Sequence, residues 1–167
     1  MRKTIYQGKY ITMSTETIAN HIYERVTLRP GIKIIPIKNN KILFIKEYRQ
    51  HEKSSRLKLV SGWVDKKNKS VLKIAKDELR EEASYQAKKW SLFHTRQTPN
   101  QTIESHTDYF LAKGLTKLPQ QKNPDNDIVE EVIFLTKNAI IKKLRQKKIT
   151  WDDDIAVVLM YFESLSL

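Results

Sequence analysis

The chain has 167 residues, 31 Lys and Arg against 19 Asp and Glu, and a formal net charge of +12. That length suits one domain around one core; the 40% of apolar residues argues against a disordered chain, and the absence of cysteine excludes disulfides and thiolate metal sites. The longest apolar run, Ile155–Phe162, is too short to span a bilayer, the N-terminus lacks a signal-like apolar stretch, and a cytoplasmic location is expected. The positive charge favours anionic partners, phosphorylated metabolites or nucleic acid among them.

In chain order, residues 4–13 and 22–28 are rich in β-branched and aromatic side chains and predict strands. After Pro30-Gly31, the runs 32–37 and 41–45 flank Asn39-Asn40, a pair that tolerates positive φ and predicts a hairpin turn. Residues 46–55 are polar and predict a loop, and 57–60 a short strand. Ser70 is placed to cap a helix running to about Ala83, with Leu72, Ala75, Leu79 and Ala83 as its buried stripe. Strands are expected at 90–95, 108–112 and 131–136, with a polar loop at 119–127. Asn138 is the expected cap of a helix to Arg145, and Asp152–Asp154 open a last helix. The order of strands, helix, strands and two helices is not a regular βαβα alternation. It predicts an α+β or mixed-sheet sandwich with helices outside.

On the first helix, Glu78, Glu81 and Glu82 fall at i, i+3 and i+4 and share one face. Three carboxylates so close repel one another unless a cation sits among them, and an oxygen-rich set of this kind suits Mg²⁺ or Mn²⁺. The spacing alone equally describes a solvated acidic face with Lys76 and Arg80 nearby.

The stretch from Gly62 to Tyr85 resembles the Nudix box, an opening Gly and a Glu followed by Arg-Glu-apolar-x-Glu-Glu-x-Gly-apolar. Glu78-Leu79-Arg80-Glu81-Glu82 matches its core, Gly62 matches its opening Gly, and Leu59-Val60-Ser61-Gly62 resembles the Leu-Pro-Ala-Gly of ADP-ribose pyrophosphatases in that family. The chain departs from the box in several places. One extra residue lies between Gly62 and Glu78, Lys69 stands for the first Glu, Asp77 for the Arg, Ser84 for the second Gly, and Lys58 for the usual Glu before Leu-Pro-Ala-Gly. In the family that Glu and Arg form an ion pair tying loop to helix. Lys69 and Asp77 keep the spacing with the charges exchanged, so a swapped pair is expected. Weaker likenesses to the same branch follow in order along the chain: Tyr6–Tyr10, Phe44–Gln50, Thr98–Glu104, Tyr109–Ala112, Glu131–Leu135 and Ile149–Asp152.

The resemblance implies a Nudix-like α/β/α sandwich with a mixed central sheet (31–167), preceded by an antiparallel strand extension (1–30) through which relatives form homodimers. It implies Mg²⁺, with Mn²⁺ as the alternative, held by Glu78, Glu81, Glu82, the Ser61 carbonyl and Glu104. Catalytic carboxylates are expected among Glu81, Glu82, Asp127 and Glu130, with Asp125 a further candidate base; Arg49 and Lys58 are expected at the substrate. His51, His94 and His106 lack metal-motif spacing. The implied reaction is hydrolysis of a pyrophosphate bond in a nucleoside diphosphate derivative, ADP-ribose or an ADP-sugar, to AMP and a sugar phosphate. Two alternatives stay open: a degenerate Nudix fold that binds ligand or regulates, and a pyrophosphohydrolase acting on RNA ends, which the +12 charge suits.

Overall fold

The computed structural model describes residues 2–65, 68–98, 102–119, 128–149 and 152–165. Strands β1 (Arg2–Gln7), β2 (Ile11–Ile18) and β3 (His21–Leu28) form an antiparallel meander, and the two-residue strand β9 (Ile103–Glu104) adds to β3 in parallel. The single strand expected over 4–13 is therefore two. The chain turns back at Gly8, whose amide donates to the Ile11 carbonyl at 2.8 Å. The next turn uses Ala19 and Asn20, both at positive φ. Because β9 comes from far along the sequence, the N-terminal extension is stitched to the rest of the chain and does not stand apart.

The central sheet runs β11-β5-β4-β10-β8, from β4 (Gly31–Lys38), β5 (Lys41–Arg49), β8 (Tyr85–Gln97), β10 (His106–Lys117) and β11 (Ile128–Leu135). Strand β10 lies parallel to β4, and the other pairs are antiparallel. Asn39 and Asn40 have φ of 51° and 57°, the backbone that a tight β4–β5 hairpin requires. Among the described residues, three helices cover the sheet: α1 (Val71–Ala83), α2 (Lys137–Arg145) and α3 (Asp152–Glu163).

Alternation along the central strands divides the core. Ile32, Ile34, Leu43, Ile45, Phe110 and Ala112 pack with Ile74, Ala75 and Leu79 of α1, while Ile35, Ile37, Ile42, Phe44, Tyr109 and Leu111 pack with Ile140 of α2 and Ile155 and Val158 of α3. Both faces are buried, so these strands read as nearly continuous apolar runs.

Ser70 caps α1 by accepting from the Lys73 amide at 3.2 Å. Ser84 ends the helix in the left-handed region, φ 56° and ψ 42°, with its amide returned to the Arg80 carbonyl. The cap of α2 is Thr136, not Asn138: its hydroxyl accepts from the Ala139 amide, so the helix starts at Lys137. The stretch 46–55 is not a loop, because β5 continues to Arg49 and β6 (Ser54–Lys58) returns along it. Polar side chains hid that hairpin, since much of it lies at the solvated margin. Among the described residues no helix is long and apolar enough to cross a membrane.

One irregularity positions the site. Strands β4 and β5 pair only next to their hairpin, at Ile37↔Ile42 and Lys38↔Lys41, and then part. The fork between them is filled by β6 on β5 and by β7 (Val60–Trp63) on β4. Lys58 is the last residue of β6 and Leu59 joins the two strands.

Candidate functional site

Helix α1 lies against β7, and its glutamates meet the Ser61–Gly62 backbone. Glu82 is buried and accepts a hydrogen bond from the Ser61 amide at 3.0 Å. It is thus the amide of Ser61, not its carbonyl, that faces this carboxylate. The carboxylate of Glu78 lies against Gly62 so closely that a Cβ there would overlap it. A side chain at position 62 would therefore displace the Glu78 carboxylate. Glu81 is partly exposed and has the Arg80 guanidinium at 3.7 Å.

Lys69 and Asp77 are in contact: Lys69 Nζ donates to Asp77 Oδ2 at 2.6 Å. Lys73 and Arg80 approach the other oxygen of Asp77, each at 3.0 Å. Burial alone would raise the Asp77 pKa, but hydrogen bonds from Lys69 and Lys73 and their charges hold it at about 2.

A compact charge cluster fills the fork of the sheet. The Lys58 ammonium is buried, paired with Glu47 and 3.3 Å from Glu82 Oε1. Arg49 approaches Glu47 Oε1 at 2.8 Å. Lys33, on β4 opposite Ser61, pairs with buried Asp154 of α3, which also accepts from the Leu59 amide and feels the Lys58 charge. Burial works hardest against the charge on Lys58, yet Glu82 and Glu47 more than offset it and raise its pKa above the usual lysine value. Burial likewise pushes the Glu82 carboxyl well above its ordinary range, against the opposing pull of Lys58 and the Ser61 amide.

Several other residues singled out by sequence have protein partners of their own. Glu104 is part of the N-terminal sheet, accepting from Arg2 at 3.0 Å, Arg25 at 3.3 Å and Thr27 at 2.8 Å. Glu130 is exposed in a bulge of β11 and bound by Lys46 and Ser55. Asp125 and Asp127 lie outside the described residues, as does most of the predicted 119–127 loop. Lys58 points into the carboxylates and away from solvent, and Arg49 is partly exposed beside Glu47. His106 is bonded to Asp108 at 3.1 Å, and His94 packs on Tyr109. Glu47, Lys33 and Asp154 were not among the candidate site residues. The signal was there for one of them: a lone Lys within Ile32–Ile37 is a charge in a strand buried on both faces.

Among the described residues, no three Asp, Glu or His side chains form a group that could hold a metal ion. Two carboxylates are a sufficient protein contribution for Mg²⁺, which keeps water and takes phosphate oxygens for its other positions. Glu78, in the cradle left by Gly62, and Glu81 on the same helix face fit that description. Each oxygen of Glu82 accepts from a protein donor, Lys58 at one and the Ser61 amide at the other. A separate cleft of about 390 Å³ opens between β3 and the β8–β10 pair, lined by Arg25, Thr27, Gln97, Thr98, Glu104 and His106 among others.

No protein-family model matches the chain. Its fold is similar to that of a solved ADP compounds hydrolase. The likeness has a TM-score of 0.79 and covers 99% of this chain and 92% of that one at 19% identity. In sequence the chain is similar to a methanol dehydrogenase activator from Bacillus methanolicus, 22% identical over 165 residues, 95% of this chain and 88% of that protein. The architecture is α+β, a Nudix-like α/β/α sandwich with a mixed central sheet and an N-terminal strand extension.

Proposed function

We propose that the chain hydrolyses the pyrophosphate bond of a nucleoside diphosphate derivative, ADP-ribose or an ADP-sugar, giving AMP and a sugar phosphate. The observation that carries this reading is the placement of Glu78 against Gly62, with Glu81 on the same face of α1 and the helix braced to β7 by the bond from Ser61 to Glu82. The likeness in fold to an ADP compounds hydrolase supports it, and the net charge of +12 suits an anionic substrate. Glu78 and Glu81 are the residues that would hold Mg²⁺ or Mn²⁺. Such an ion, when bound, neutralises pyrophosphate oxygens and lowers the pKa of a bound water. Glu81, Glu130 and Asp127 are the carboxylates offered as base, and Arg49 as the phosphate contact.

A homodimer belongs to this reading. Every residue of β1 is exposed, and Ile5, Tyr6, Met13, Ile18 and Ile22 leave apolar surface on the N-terminal sheet. A small nucleotide-linked molecule in the cytoplasm, rather than nucleic acid or a membrane, is the proposed setting.

A second reading, a ligand-binding or regulatory protein, is favoured by the hold of Lys58 on Glu82 and by the likeness to the methanol dehydrogenase activator. The deciding experiment incubates purified protein with ADP-ribose and Mg²⁺ or Mn²⁺ and separates the products, with Glu78→Gln as control. AMP and ribose 5-phosphate, lost in the variant, are the expected result. Binding of ADP-ribose by calorimetry without turnover would transfer the assignment to the second reading.

A further inference from the structure

The fork between β4 and β5 contains three carboxylates, Glu47, Glu82 and Asp154, and three cations, Lys33, Lys58 and Arg49, each paired with a member of the other set. With all six groups ionised, the cluster is electrically balanced by the chain itself. A buried carboxylate without a partner is costly, and Glu82 has its partner already in Lys58. A divalent ion brought to Glu82 would stand next to a buried ammonium and meet the Ser61 amide, whose positive end points at Oε2. Between like charges at such range, and away from bulk water, repulsion is strong.

We propose that Lys58 is a resident cation that takes the place of a divalent ion at Glu82, so that the α1 face binds a single ion through Glu78 and Glu81 and gains a second only when Lys58 is removed. This deepens the pyrophosphate reading and rests on it for the role of the face, but the ion count is a property of the unliganded chain. The lysine cannot leave cheaply, because its departure would strip buried Glu82 of its cation and leave Glu47, which is 2% exposed, with Arg49 alone. Lys58 therefore acts as a positioning residue for Glu82 and sets the metal complement without touching the reacting atoms.

The test is titration of the full chain with Mn²⁺, following the free ion by electron paramagnetic resonance and checking the fold by circular dichroism. Wild type, Glu78→Gln, Glu82→Gln, Lys58→Gln and Lys58→Gln/Glu82→Gln are compared. Glu47→Gln/Lys58→Gln removes one buried carboxylate together with the ammonium and serves as the variant that folds if Lys58→Gln does not. The wild type is expected to take up one ion, lost in Glu78→Gln and kept in Glu82→Gln. Lys58→Gln, or its Glu47→Gln companion, is expected to bind a further ion at least about tenfold more tightly than the wild type binds any second one. Adding Glu82→Gln is expected to abolish that gain. Loss of an ion from wild type on Glu82→Gln, or no gain in either Lys58 variant, would overturn the proposal. Turnover of ADP-ribose is measured separately: its absence with these ion counts intact defeats the hydrolase reading and leaves the role of Lys58 standing.

Discussion

Lys69 Nζ reaches Asp77 Oδ2 at 2.6 Å and so fastens the segment entering α1 to the middle of that helix. Asp77 is nearly inaccessible while its three cationic neighbours are partly exposed, so the aspartate is the group that cannot be relieved by solvent. Asp77→Lys places a third ammonium among them and is expected to cost about 2 kcal/mol in chemical denaturation. Lys69→Glu on that background is expected to return about 1 kcal/mol and no more, because Lys73 and Arg80 still face the new lysine. A coupling energy of zero in the cycle would show that the contact does nothing for stability.

Ser84 pays for a left-handed backbone that glycine adopts freely. Ser84→Gly is expected to stabilise the chain by about 1 kcal/mol, a rise of about 3 °C in melting temperature by calorimetry. An unchanged or lower value would mean that the serine side chain offsets the strain.

Gly62→Ala pushes a methyl group into the Glu78 carboxylate. The expected result is a loss of Mn²⁺ affinity of about tenfold, with a stability cost of about 1 kcal/mol. Calorimetric titration separates the two. Equal losses of affinity and fold would indicate a packing role for the glycine alone.

Glu104 supplies a pH dependence. Hydrogen bonds from Arg2 and Thr27, with the charges of Arg2 and Arg25, hold its carboxyl below the ordinary 4.5. In the unfolded chain it takes up a proton first as pH falls, so the stabilisation it provides is complete above 4.5 and is withdrawn as pH drops below that value toward its folded pKa. Amide exchange in β1 and β3, corrected for intrinsic rates, is expected to quicken across that range in wild type and to vary little in Glu104→Gln.

The hairpin at Asn39-Asn40, the cap at Ser70 and the end of α1 at Ala83 were legible because each depends on local chemistry: positive φ, a hydroxyl reaching an amide, a helical stripe. The contact between Lys69 and Asp77 was legible from spacing with exchanged charge. The cap of α2 was misplaced because threonine and asparagine, two residues apart, both satisfy the same local rule. What could not be read was the fork. Lys58 meets Glu82 across 24 positions and Lys33 meets Asp154 across 121, and only the parting of β4 from β5 brings them into one space. Glu104, linked to the metal face by sequence likeness, lies on β9 of the N-terminal sheet, where Arg2 and Arg25 each bond one of its oxygens, contacts that span 102 and 79 positions.

The parallel seam between β4 and β10, with Gly31 opposite Thr107, also sets an order of events during synthesis. A ribosome that has released β1 through β7 has supplied a meander and a hairpin but no neighbour for one edge of β4. That edge, the backbone of Gly31–Ile37 with apolar side chains on both faces, stays bare until β10 emerges. Non-local parallel pairing is slow to form and leaves sticky strands exposed meanwhile. The newborn chain is therefore most vulnerable to aggregation in the interval before β10 arrives, and a holding chaperone would find its binding sequence in the isoleucines of β4.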